Sequence, residues 1–176
     1  RLVQPLREAL AARIANLRIG HSLEEGTDIG PISNEPHYRT LLQRIDGLRA
    51  LGAHIDQPGE LPGLAGFFLS PTIATGSDPD RTTAELFGPV ISLHGVDSDE
   101  EALRAANAHP SGLDAYVFGT DTDRAIAVGA RVKSGEVRVN GAKVADLGDD
   151  SAQSFWGPSG IGGHGPAESV RVFCGD

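Results

Sequence analysis

Leu2, Leu6, Leu10, Ile14 and Leu17 recur at steps of three and four residues, the stripe of one amphipathic helix, and Gly20 lies past its end. A turn-rich stretch, GTDIGPISNEP, follows. Leu41, Leu42, Ile45 and Leu48 repeat the helical spacing and predict a second helix ending near Gly52. Its interior Gly47 weakens it by about 1 kcal/mol relative to alanine. FFLSPTIAT and PVISLHGV then predict strands, with Pro71 and Pro89 at irregular or edge positions. Ser98 and Glu101 have capping-box spacing and open a third helix through Leu103 and Ala106. DAYVFGT predicts a strand, DTDRAIAVGARVK a helix stopped by Gly135, and EVRVN a further strand. From Asn140 to Gly165 the pattern predicts a glycine-rich loop.

The order helix, helix, strands, helix, strand, helix, strand predicts an α/β domain with a largely parallel sheet and right-handed crossovers. No repeat, low-complexity tract or linker divides the chain, which predicts one domain over 1–176. The short strand Glu136–Asn140 is expected to stand unpaired at a sheet edge.

Composition narrows the picture. The 176 residues are 39% hydrophobic and 22% charged, a globular rather than a disordered profile. No apolar run reaches the ~18 residues of a membrane span, and no basic-then-apolar leader begins the chain. A net charge of −9 argues against a nucleic-acid partner. A single cysteine, Cys174, cannot form an internal disulfide, which points to the cytoplasm. The chain starts at Arg1 and has no methionine, so it is expected to be part of a longer polypeptide.

The chemical signals divide unevenly. Gly160-Ile-Gly-Gly-His-Gly165 has the spacing of a dinucleotide-binding turn. Such a turn follows a strand directly and opens a long helix. Here the last predicted strand ends near Asn140 and eleven residues remain after Gly165, so a tight glycine loop beside a site is the better reading. His21, His37, His54, His94, His109 and His164 form no pair at metal-ligand spacing and are read as surface or packing residues, with no metal site. Asp97, Asp99, Glu100 and Glu101 suit a helix N-terminus. DTDRA lacks the glycine and terminal glutamate of a calcium loop, and Asp146, Asp149 and Asp150 are read as solvated. Cys174 is followed by Asp176 and has no neighbouring cation in sequence to lower its pKa, which favours packing over nucleophilic work.

A longer pattern carries more. Glu85–Val90 (ELFGPV), Ala102–Asn107, Gly112–Phe118, Asp121–Ala125 and Gly135–Asn140 follow one another in an order that resembles the aldehyde dehydrogenase superfamily. Its motifs there are E-x-F-G-P-V, A-x-x-x-A-N, G-L-x-A-x-V-F, D-x-x-x-A and G-x-V-x-V-N. GTDIGPIS and FFLSPTI resemble its upstream segments, so the likeness covers nearly the whole chain. It implies a three-layer α/β catalytic domain with a largely parallel sheet, and places 1–176 in the carboxy-terminal part of that domain.

The resemblance implies the rest of the site. Glu85 would accept hydrogen bonds from the nicotinamide ribose hydroxyls of NAD or NADP, Phe87 would lie near the ring, Gly88 and Pro89 would fix the turn after it, and Leu113 would also approach the ring. Phe155 would line the aldehyde pocket, with Lys143 near its entrance. The nucleophilic cysteine and general-base glutamate would precede Arg1, so no catalytic residue is assigned within the chain, which alone would be inactive. The intact protein would be a homo-oligomer acting on a small aldehyde. The family's P-F-G-G-x-K-x-S-G-x-G-R-E is shortened here to FWGPSGIGGHG, without its lysine. That departure keeps open a second reading, a non-catalytic binding or assembly module on the same fold.

Overall fold

The computed structural model describes residues 2–79, 85–141, 153–160 and 163–164. They fall into two compact units, Arg1–Gly95 and Val96–Asp176.

The first unit holds α1 (Val3–Ala15), α2 (Glu35–Ala50), β1 (His54–Asp56), β2 (Thr72–Thr75) and β3 (Val90–Leu93). Asn34 caps α2, its Oδ1 accepting from the His37 N–H at 2.9 Å, and Pro36 occupies the first turn, where a missing N–H is harmless. At the other end Gly52 takes φ +90°, a left-handed value that suits glycine. The Ala53 N–H then reaches back to the Leu48 carbonyl at 3.0 Å. Three of the four leucine and isoleucine positions expected on this helix, Leu41, Ile45 and Leu48, are buried. Leu41 and Ile45 pack with Leu69, and Leu48 with Ala53 and Ala74; Ile55 and Val90 close both clusters. The α1 stripe is covered only toward its end: Ile14 is buried, whereas Leu2 and Leu6 are exposed.

The sheet runs β1-β2-β3. β2 and β3 are parallel, Thr72 opposite Val90 and Thr75 opposite Leu93. β1 was not evident in the sequence and lies antiparallel to β2, Asp56 opposite Ile73. Its anchor is an ion pair, Arg7 Nε donating to Asp56 Oδ2 at 2.5 Å.

The second unit holds α3 (Asp99–Ala106), β4 (Asp114–Val117), α4 (Thr122–Gly129), β5 (Glu136–Val139), β6 (Gln153–Ser154), a single 3₁₀ turn (Gly157–Ser159) and β7 (Gly163–His164). The cap of α3 is present in a shifted form of the capping box: the Glu101 N–H donates to Ser98 Oγ at 3.1 Å, and Glu101 Oε2 accepts from the N–H of Asp97, one residue before the cap, at 2.9 Å. β4 and β5 are parallel from Asp114–Glu136 to Val117–Val139, so β5 is paired along its length rather than unpaired. α4 connects them and packs on both. It ends at Gly129, six residues before Gly135. Gly129 lies flush on β5, where a Cβ would meet Val137 at 3.2 Å and Val139 at 3.4 Å. Asn107 then fixes the chain beyond, donating to the Arg131 carbonyl at 3.0 Å and accepting from the Lys133 N–H at 2.7 Å. Asn140, at φ 55°, makes a similar double bond to Gly119, at 2.9 and 3.0 Å.

The predicted loop after Asn140 contains a small antiparallel pairing, Gln153 opposite His164 and Ser154 opposite Gly163. No described helix is long and apolar enough to cross a membrane.

Candidate functional site

ELFGPV, Glu85–Val90, lies along one face of α2. His37, Leu41, Ile45 and Leu48 follow one another at helical spacing on that face. His37 Nε2 is 2.5 Å from the Phe87 carbonyl oxygen. A Cβ on Gly88 would lie 2.7 and 2.8 Å from the two methyl carbons of Leu41, so a larger residue there must displace the buried Leu41 side chain. Leu86 packs against the Leu48, Ala53 and Ala74 cluster.

The segment's backbone is closed by short turns. The Gly88 N–H donates to the Leu86 carbonyl at 2.8 Å and the Val90 N–H to the Gly88 carbonyl at 2.7 Å, three-residue turns centred on Phe87 and Pro89. The Pro89 carbonyl accepts from the Thr72 N–H at 2.8 Å, which ties the turn to β2. The side chains alternate: Leu86 faces the core, while Glu85 is exposed and Phe87 is 72% exposed. A phenylalanine ring held in the open on a fixed backbone has a large apolar face available for a flat partner.

Leu113 and Phe155 flank a backbone bridge in the second unit. An antiparallel bridge joins Gly112 to Trp156, the Trp156 N–H donating to the Gly112 carbonyl at 3.1 Å. Leu113 and Phe155 are the next residues inward on the two segments. Leu113 is 45% exposed and Phe155 half-buried. The crossing is tight: a Cβ on Gly112 would lie 2.4 Å from the Lys133 carbonyl oxygen, and one on Gly157, at φ +55°, 2.4 Å from the Pro110 carbonyl oxygen. Gly160 follows the 3₁₀ turn, in the connection between β6 and β7. Lys143, Cys174, Asp146, Asp149 and Asp150 lie outside the described residues.

Glu85 and Phe87 thus belong to the first unit, and Leu113 and Phe155 to the second. A surface hollow lined by Arg7, Glu8, Ala11, Ile55, Asp56 and Gln57 contains none of the four. No group of three histidine, cysteine, aspartate or glutamate side chains is poised for a metal among the described residues. His37 was read from the sequence only as a surface or packing histidine. The signal for it was its place four residues before Leu41, on the apolar stripe itself.

The arginine–carboxylate pairs are built from other side chains, although the Glu136 N–H donates to the Leu113 carbonyl at 3.1 Å. The Arg7 guanidinium holds the Asp56 carboxyl below the usual carboxylate range. Hydrogen bonds from Arg124, Arg131 and Arg138 do the same for Asp99, Glu100 and Glu136. Three of these pairs tie neighbouring segments together (α1 to β1, α4 to α3, and the turn after α4 to α3), whereas Glu136 and Arg138 share one face of β5.

Comparison with known proteins supplies the family. The model of the aldehyde dehydrogenase family matches residues 1–175. An NADP(+) succinate-semialdehyde dehydrogenase of Mycobacterium leprae is 30% identical over 171 residues, 95% of this chain and 36% of that protein. The betaine aldehyde dehydrogenase of Staphylococcus aureus, solved in complex with NAD+, superposes with a TM-score of 0.86 at 26% identity, over 98% of this chain and 35% of its own. An aldehyde dehydrogenase C variant of Pseudomonas syringae, solved with NAD+ and octanal, gives 0.84 at 27% identity, over 95% and 35%. The chain spans about a third of the length of the relatives it matches. With its α/β fold and its match over 1–175, the chain belongs to the aldehyde dehydrogenase family.

Proposed function

We propose that the chain is the carboxy-terminal, catalytic-domain part of an NAD- or NADP-dependent enzyme that oxidises a small aldehyde to a carboxylic acid. In this reading the thiolate that attacks the aldehyde and the base that activates water belong to the preceding part of the protein. The cofactor supplies a hydride acceptor. The work of this chain is placement. Glu85 accepts hydrogen bonds from the ribose hydroxyls, a charged acceptor for two neutral donors, worth about 1.5–3 kcal/mol each. Phe87 gives the nicotinamide ring a flat apolar neighbour, and Leu113 limits its movement. Phe155 lines the aldehyde pocket and Lys143 stands near its mouth.

The observation that carries this reading is the ELFGPV segment: a backbone pinned on α2, with its inner residue in the core and Glu85 and Phe87 turned outward. NAD+ in the two related structures, and NADP(+) in the name of the Mycobacterium leprae relative, support the cofactor class. The net charge of −9 and the single cysteine support a cytoplasmic enzyme without a nucleic-acid partner, and the family resemblance supports a homo-oligomer when intact.

The test is made in the intact enzyme. Glu85→Gln and Phe87→Ala are expected to weaken NAD+ or NADP+ binding and slow hydride transfer by roughly ten- to a hundredfold, with the aldehyde KM changed less. Wild-type cofactor affinity in both variants overturns the assignment. The 176-residue chain by itself is expected to show no turnover with NAD+ and propanal. Binding without turnover in the intact protein would favour the non-catalytic module instead.

A further inference from the structure

Four consecutive carbonyls, Leu86 to Pro89, are all used. Those of Leu86, Gly88 and Pro89 accept from backbone N–H groups, of Gly88, Val90 and Thr72. The Phe87 carbonyl accepts instead from a side chain, His37 Nε2. Among the described residues it is the one hydrogen bond to these carbonyls that depends on side-chain identity. A carbonyl oxygen only accepts, so the ring carries its hydrogen on Nε2. The ring's origin is fixed in turn, because Asn34 Oδ1 holds the His37 N–H in the first turn of α2.

We infer that His37 is a positioning residue for the cofactor: by holding the Phe87 carbonyl it fixes the peptide from which the Phe87 ring projects. The inference rests on the proposed role of Phe87. Loss of the bond loosens the Phe87–Gly88 peptide, which keeps only the three-residue turn from the Gly88 N–H to the Leu86 carbonyl among the described residues, and the ring then samples orientations that the nicotinamide does not fit. Leu86, anchored in the core, and Gly88, seated on Leu41, confine the disturbance to this peptide.

Three substitutions in the intact enzyme separate the donor from the ring. H37F keeps an aromatic ring without the donor. H37Q keeps a nitrogen donor at similar reach without the ring. H37L removes the donor with less bulk and reads the same loss if phenylalanine does not fit. Equilibrium binding of NADH is followed by its fluorescence, and KM and kcat by turnover. H37F and H37L are expected to weaken NADH binding and raise the cofactor KM roughly two- to tenfold, the size of one neutral hydrogen bond. The aldehyde KM and the thermal midpoint stay near wild type, and H37Q restores binding. In a Phe87→Ala background, H37L is expected to add nothing.

Unchanged NADH affinity in both H37F and H37L overturns the inference. So does loss in H37Q equal to that in H37L, which would mean packing. If Phe87→Ala itself leaves NADH affinity unchanged, the underlying role of Phe87 has failed. If Phe87→Ala weakens binding and H37L does not, only the role of His37 has failed.

Discussion

Gly88 shows how closely one residue can be specified. Its hydrogen faces the two methyl groups of Leu41, which is itself only 1% exposed and has little room to move. Gly88→Ala therefore overpacks a closed contact and is expected to destabilise the protein by about 1–3 kcal/mol. A urea titration checks this; a midpoint equal to wild type would mean that α2 can retreat without loss. Asn107 and Asn140 illustrate another kind of specification. Asn107 holds the turn after α4 with its carboxamide, whereas Asn140 extends the β4–β5 ladder to Gly119 and takes the left-handed conformation that asparagine tolerates better than most residues. Both close motifs that were legible in the sequence, A-x-x-x-A-N and G-x-V-x-V-N, but the patterns do not disclose what the asparagines hold.

Among the elements, α3 depends most on its ends. It has eight residues and buries only Leu103, so it cannot rely on an apolar face alone. Ser98→Ala leaves the Glu101 N–H without its side-chain acceptor and is expected to lower stability by about 1 kcal/mol. A shift in denaturation midpoint with an unchanged slope is the expected result, and restoration by Ser98→Asp would identify the cap as its cause. The elements that the sequence pattern made legible are those with a repeated apolar face, an apolar run or a clear cap: α1, α2, β2, β3, α3, β4 and β5, with the start of α4. β1 escaped notice because His54-Ile55-Asp56 offers one apolar residue and owes its place to Arg7, 49 residues away from Asp56. The end of α4 was misplaced because Gly135 looks like a stop. The helix ends at Gly129, and the turn beyond it is held by Asn107, which bonds the Arg131 carbonyl and the Lys133 N–H across 24 and 26 residues. His37 was missed for a similar reason: its meaning lies in a carbonyl 50 residues further on.

Across the whole molecule, the charge balance sets the response to acid. Asp56, Asp99, Glu100 and Glu136 each face an arginine that lowers the carboxyl pKa. A carboxyl with a depressed folded pKa stabilises the fold fully above its unfolded value, near 4. That contribution disappears as pH falls through the folded value. Stability is therefore expected to fall below about pH 4. The Glu136–Arg138 pair, at 2.8 Å with side chains 17% and 12% exposed, is better shielded than the pairs on α3 and is expected to carry much of the dependence. Glu136→Gln should destabilise the protein at pH 7, with the gap to wild type narrowing by pH 3. Parallel pH profiles for the two proteins would exclude the pair as the source. The division at Gly95–Val96 was not legible, because no linker marks it and a capped helix begins three residues later.

Leu41 has a role that its burial conceals. It is a core residue by every sequence criterion, yet it also serves as the floor beneath the turn that presents Phe87. Over evolutionary time, a change in its shape need not alter any residue at the surface to shift that turn. Drift in the interior of α2 is thus a route by which the Phe87 ring could be presented differently while ELFGP stays identical.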